Sequence, residues 1–434
     1  MKNELIIKNA RLVDPASGKD ENGAIWIKNG KIKEIHWGNA PDAPEGIETR
    51  DAQGNVIAPG LIDTRVFAGE PGREHRETLE SVSNAAAAGG VTSFLLMPDT
   101  TPVIDDGALV DFIIRRAEAT SCVKILPSAA ISKGLKGQDL TEFGLLKAAG
   151  ARAFTDGNSS IQSTAMLKNA FTYAQNFDMP IIHQVGDREL IGSGVMNSGI
   201  LATGLGLKGI PHEAETIPLA RDLQLAEMTG VRYHTAQISC GKAADMMAYA
   251  KQSNKNISAG ISINHLCLNE NDIGSYRTYF KLSPPLRAED ERQKMVEGLR
   301  NGTIDILHSA HDPQDTEGKR RPFAEATDGA IGLETLLGAA LRLVHDEQIS
   351  LLDLLKTLTI NPAKLLGLET GRLAKGAAAD LIEIDLNYPW VVAETDLKSR
   401  SQNTAFEHAR LFGKVTTTWV NGNIVFEQDG TTAP

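Results

Sequence analysis

Short apolar runs recur through the middle of the chain, with amphipathic stretches between them. Eight can be read: VIAPGLIDTRVF, VTSFLLMP, VKILPSA, ARAFTD, MPIIHQ, VRYHTAQIS, ISAGISINH and TIDILHSAH. They are continuously apolar, as parallel strands covered on both faces are. Helical stretches such as LESVSNAAAAGG and ALVDFIIRRAEA separate most of them. Strands alternating with helices in this number predict an α/β fold, a (β/α)8 TIM barrel. The two ends read differently. IWIKNGKIKEI and TTWVNGNIVFE alternate apolar and polar positions around Asn29-Gly30 and Asn421-Gly422, the signal of tight hairpins. GRLAKGAAADLIEIDL is also strand-rich. The expected organisation is a small flanking β domain built from both termini, residues 1–57 and 368–434, around a barrel at 58–367.

In such a barrel the chemistry lies at the C-terminal strand ends. Those positions are Arg65, Phe67, Asp99, Asp156, His183, Gln237, His265, Ala310 and His311. The glycine-rich stretch IGSGVMNSGILATGLGLKGIP lacks GxxxxGK[ST] and reads as a loop over the mouth rather than a phosphate cradle. Composition adds exclusions. With 41% hydrophobic and 23% charged residues the chain is an ordinary globular one. A net charge of −11 argues against nucleic acid or an anionic membrane as partner. Cys122, Cys240 and Cys267 show no CxxC spacing and suit a reducing compartment. The start, MKNELIIKNARLVDP, is not a signal peptide, and no apolar run is long enough for a bilayer. The expected location is cytoplasmic.

The motifs VIAPGLID, EPGREHRET, AAAAGGVTSFLLMP, LGLKGIPHEAE, KLSPPLR, FAEATDGAIGLET, NPAKLLGL and GRLAKGAAADL span nearly the whole chain. Together they resemble the dihydroorotase family of the amidohydrolase superfamily, in its long bacterial class. The resemblance implies a barrel that opens or closes a cyclic amide with one or two zinc ions. It also implies a set of ligand positions, and here these have changed. The histidine pair is Arg65 and Phe67, neither of which can ligate zinc. The second histidine of a later strand is Gln237, and the catalytic aspartate falls on Ala310, with Asp312 the alternative only if the match slips. Three substrate contacts fall on Gly69, Asp99 and Gln314. Of the implied ligands only Asp156 and His183 persist, fewer than the three that catalytic zinc sites use.

From these losses the expectation is a vestigial pocket of Arg65, Phe67, Asp156, His183, His265 and His311, with no metal, cofactor or catalytic residue. Arg65 is expected to replace the metal cation and pair with Asp156, and Phe67 to fill the remaining volume. Asp63 reads as a structural carboxylate and His265 as a satisfied strand-end histidine. The expected function is that of the family's inactive, non-catalytic members. These pseudoenzymes serve pyrimidine biosynthesis as oligomeric assembly partners of the aspartate carbamoyltransferase catalytic chain. Two alternatives stand beside it. One is an active dihydroorotase or related cyclic amidohydrolase with zinc in a site rebuilt from His234, His308 or His311, although His308 and His311, three apart on a strand, face opposite sides. The other is a ligand-binding sensor that uses the pocket.

Overall fold

A computed structural model describes residues 4–38, 44 and 46–428. Its central element is a ring of parallel strands. Leu61–Val66 pairs with Val91–Leu96, which pairs with Lys124–Pro127. Bridges from Ala129 to Phe154 and from Phe154 to Ile181 carry the ladder to Ile181–His183. That strand pairs with Tyr233–Thr235, which pairs with Ile257–Ser262, which pairs with Ile306–His308. A bridge between Val66 and His311 returns the ladder to the first strand. Seven of the eight apolar runs, with the second half of the first, Leu61–Val66, thus supply the eight staves of the ring; the first half of that run, Val56–Pro59, pairs instead within the terminal sheet. Asp63, fully buried on the first stave, accepts the Arg65 N–H at 2.9 Å and the Ser309 N–H at 2.9 Å, and so ties the first and last staves together. Its role here is structural.

Helices cover the outside. Leu79–Ala88 begins at Thr78, whose hydroxyl accepts from the Ser81 N–H. Its buried face is Leu79, Val82, Ser83 and the alanines that follow, Ala85, Ala86 and Ala87. Phe154 stacks on Phe143 with ring centroids 4.0 Å apart, which fixes the helix Phe143–Ala149 against the fourth stave.

The termini share one sheet. Its order runs Asn423–Glu427, Arg410–Val420, Leu381–Val391, Val56–Pro59, Glu4–Asp14, Lys19–Lys28, Lys31–Trp37, with Glu48–Asp51 beside Glu4–Asp14. Ile7, Leu12, Ile25, Ile57, Leu381 and Trp419 form its core. Both Asn-Gly pairs have positive φ, 50° and 76° at Asn29-Gly30 and 48° and 74° at Asn421-Gly422, as a type I′ turn requires. The two turns also touch. A Cβ at Gly30 would lie 2.8 Å from the Asn421 carbonyl oxygen, and one at Gly422 3.1 Å from the Gly30 Cα. Glycine is needed there for contact as well as for φ.

Candidate active site at the barrel mouth

The C-terminal strand ends surround a cavity of about 30 Å³, lined by Arg65, Phe67, Asn158, Gln237, Asn264, His265, Ala310 and Asp312 among others. That volume holds about one water molecule. A larger cavity, about 290 Å³, adjoins it and shares Asn158 and Ser283.

Arg65 is buried. Its Nη2 donates to Asn158 Oδ1 at 2.6 Å, and its Nη1 has no hydrogen-bond partner. Burial lowers its pKa to about 10 against the pull of Asp312, Asp99 and Asp63, so it stays a cation at neutral pH. It does not pair with Asp156. That carboxylate accepts from the Ile131 N–H at 2.8 Å, the Ser132 N–H at 2.9 Å and the Ser132 hydroxyl at 2.5 Å. Phe67 lines the cavity beside the guanidinium, its ring centroid 5.4 Å from Arg65 Cζ.

His183 is held on both sides. Nδ1 lies 2.6 Å from Asp222 Oδ2, and Nε2 accepts the Ile161 N–H at 3.0 Å. A carboxylate behind the imidazole is the usual support of a metal-ligating histidine. Here a backbone N–H occupies the lone pair that a metal would need. His265 is neutral, its pKa lowered to about 4 by burial. Its Nε2 lies 3.0 Å from the Pro284 carbonyl oxygen, and Gln237 Nε2 lies 3.0 Å from its Nδ1.

Of the three histidines of the rebuilt-site alternative, His234 and His308 are neighbours inside the barrel, with His234 Nε2 and His308 Nδ1 unpartnered, but His311 does not join them. His234 and His308 lie buried in the barrel, the first on Ser258 Oγ at 2.8 Å and the second on the Ala236 carbonyl at 3.0 Å. His311 points outward, its Nε2 3.6 Å from Glu77. Among the described residues no three His, Cys, Asp or Glu side chains are placed to hold a metal ion. The donor set does not fit zinc, because an arginine and an amide stand at ligand positions and the surviving carboxylate and imidazole are already bonded.

The turn after the last stave decides which groups reach the cavity. Ala310 has φ 49°, and the chain turns there. That turn sends His311 outward and Asp312 into the cavity wall. Burial and the nearby charge of Asp99 raise the Asp312 pKa to about 7. Asp99 is raised to about 6, again mainly by burial. Gln314 Nε2 donates to Asp312 Oδ1 at 2.7 Å and fixes the carboxyl. The sequence offers Asp312 only as the alternative to Ala310 if the family match slips. Gly69 cannot carry a side chain, because a Cβ there would lie 1.9 Å from the Arg73 carbonyl oxygen. Asn158, Ser160 and Gln184 lie on loops and Arg188 opens the short helix Arg188–Ile191, and no motif marks them.

Comparison with known proteins places this site in a lineage. Residues 54–243 match the family model described as dihydro-orotase-like, and residues 325–426 match the amidohydrolase family. A protein of Anaeromyxobacter dehalogenans named Dihydroorotase is 37% identical over 431 residues, 99% of each chain. Another of that name from Pelobacter propionicus is 38% identical over 424 residues, covering 98% of this chain and all of its own. The L-hydantoinase of Arthrobacter aurescens has the same fold, with a TM-score of 0.88 at 24% identity, covering 98% of this chain and 96% of its own. Among the described residues no helix is long and apolar enough to cross a membrane.

These relatives overturn the expectation of an inactive assembly partner of aspartate carbamoyltransferase. They match end to end and carry an enzyme's name. The physical error lay in equating lost ligand positions with lost chemistry. Removing metal donors leaves a buried cation and a carboxyl poised near neutrality at the same mouth. With the barrel closed, the flanking sheet in place and full-length relatives at this identity, the chain belongs to the dihydroorotase family.

Proposed function

We propose that the chain is an active cyclic amidohydrolase of the dihydroorotase type, interconverting a six-membered cyclic ureide and its open carbamoyl acid. The full-length similarity to proteins named Dihydroorotase carries this reading. Three cysteines without disulfides suit work in a reducing compartment.

The mouth supplies two functional groups. Asp312, with its pKa near 7, takes a proton from an attacking water and returns it to the ring nitrogen as the C–N bond breaks. Arg65, buried with an unpartnered N–H, offers positive charge to the carbonyl oxygen as it becomes an oxyanion. Asn158 holds that guanidinium in place. No step is assigned to a metal, because the donors do not fit one.

The test follows ring opening of dihydroorotate, and closure of the carbamoyl acid, on purified protein with wild type beside Asp312→Asn. Ring opening needs the Asp312 carboxylate, so its rate rises as pH passes about 7, and closure, which needs the acid, falls. Asp312→Asn is expected to slow both directions by about 100-fold or more. Dihydroorotate that binds without turnover would leave a ligand-binding role in place of the catalytic one.

A further inference from the structure

We propose that Lys319 is a positioning residue for the mouth: its buried ammonium pins segment 324–329 across Asp312 and holds that carboxyl toward the charged form that accepts a proton. The proposal rests on the functional reading above, because the group it acts on is the acid–base group assigned there.

Two of the family motifs meet here. KLSPPLR begins with Lys281, and FAEATDGAIGLET runs through segment 324–329. Lys281 and Lys319 are both buried, at 6% and 4% exposure. A buried ammonium is costly unless its three donors are used. Lys319 closes the short helix Thr316–Lys319 and uses all three. Its Nζ donates to the carbonyls of Thr327 at 2.8 Å, Thr278 at 3.2 Å and Lys281 at 3.4 Å. Lys281 Nζ donates to the carbonyls of Ala324 at 3.0 Å and Ala326 at 2.6 Å. The Thr327 N–H donates to the Gly318 carbonyl at 3.1 Å, and the Gly329 N–H to the Lys281 carbonyl at 3.1 Å. Two lysines thus fasten the segment along its length.

The segment is fastened against Asp312. Gly329 has φ 110°, and a Cβ there would lie 2.6 Å from Asp312 Oδ2 and 3.0 Å from Gln314 Nε2. Asn403 Nδ2 donates to the Asp312 carbonyl at 3.3 Å and to the Gly329 carbonyl at 3.2 Å. The Asp312 N–H donates to the Ala330 carbonyl at 2.9 Å. The glycine lets the segment close on the carboxyl, and the lysines keep it closed.

Charge gives Lys319 a second effect. Its hydrogen bonds go to neutral carbonyls, which leave its charge uncancelled. Burial lowers its pKa to about 8, and the charges that face it are Asp312, Asp328 and Lys281. It is therefore a cation at neutral pH. Burial and Asp99 push Asp312 up, and Lys319, Arg65 and Arg76 pull it back, Lys319 most strongly of the three. Lys319 does not line the small cavity, so it acts through Asp312 rather than on a ligand.

The pH dependence of dihydroorotate ring opening, measured on the full chain, tests this in wild type, Lys319→Met and Lys319→Arg. Lys319→Met removes the charge and is expected to move the midpoint up by about one unit, which lowers the rate at pH 7 about fivefold. Lys319→Arg keeps the charge and should bring the midpoint most of the way back. An unmoved midpoint in Lys319→Met, with a rate lower at every pH, would make Lys319 a structural support and overturns the proposal. Equal displacement in both variants overturns it as well. Stability supplies a readout that needs no turnover. The gain in urea midpoint from Asp312→Asn grows with pH until the carboxyl is fully ionised, and with Lys319→Met that growth should continue about one unit further. A chain that shows this shift without turning over dihydroorotate upholds the role of Lys319 and removes the catalytic reading. Turnover with an unmoved midpoint keeps the catalytic reading and removes this one. Where Lys319→Met does not fold, titration of the lysine Cε by 13C NMR on wild type decides: a Lys319 ammonium still charged at pH 7 upholds the proposal, and a neutral amine overturns it.

Discussion

The role proposed for Asp312 comes at a cost to the fold. An exposed aspartate titrates near pH 3.9. In the folded chain, burial and the charge of Asp99 raise Asp312 to about 7. The native state therefore holds a proton that the unfolded state releases, and stability falls as pH rises from about 4 through 7. An asparagine in its place keeps the oxygen that accepts from Gln314 and removes the charge. Asp312→Asn is therefore expected to leave the urea midpoint nearly unchanged at pH 4 and to raise it at pH 8, while activity is lost. A lower midpoint at pH 8 would mean that the carboxylate stabilises the fold, and its place in the mechanism would lose this support. Arg65 follows a related logic. Its charge offsets neighbouring carboxylates, yet its partner is the neutral amide of Asn158, so the cation remains available to a ligand.

At the scale of elements, buried networks decide which strand-end groups are free. The helix Glu213–Thr229 lays Asp222 against the stave Ile181–His183. Asp222 and His183 are both fully buried. The same carboxylate accepts from the Tyr233 hydroxyl at 3.1 Å and from Arg221 at 2.8 and 2.9 Å. Removing one member of such a network strands the others without partners. Asp222→Ala is expected to cost about 3–5 kcal/mol, read as a fall in the urea midpoint. A loss under about 1 kcal/mol would show that His183 and Tyr233 find other partners or water. The terminal hairpins give a second case. Gly422→Ala forces a side chain into a left-handed turn and against Ile27 and Gly30, with a Cβ 3.0 Å from the nearer. It is expected to cost at least about 1–2 kcal/mol.

Across the whole molecule, the parts that obey a period were readable in the sequence and the parts that depend on a bend were not. Continuous apolar runs marked every stave, and the two Asn-Gly pairs marked the hairpins, because each pattern follows from local geometry. Counting strand-end positions selects nine residues, of which Arg65, Phe67, Gln237, His265 and Ala310 line one cavity while Asp99, Asp156, His183 and His311 are absent from its lining. It could not show that a positive φ at Ala310 redirects the next two residues, which is why Asp312 was set aside. Nor could it show that the Ile161 N–H fills the imidazole lone pair of His183. The His183–Ile161 contact joins segments 22 residues apart in the chain, and it bears on the metal question for the molecule as a whole. Where a metal is structural, its binding energy is part of the folding energy. Here the barrel is closed by Asp63 across its first and last staves, and the candidate ligands are held by Ser132, Asp222 and Ile161. Dialysis against a strong chelator is therefore expected to leave both the thermal midpoint and the ring-opening rate unchanged. A midpoint that falls on chelation and returns with added zinc would show that these side chains rearrange around a metal, and the acid–base assignment of Asp312 and Arg65 would have to be rebuilt around it.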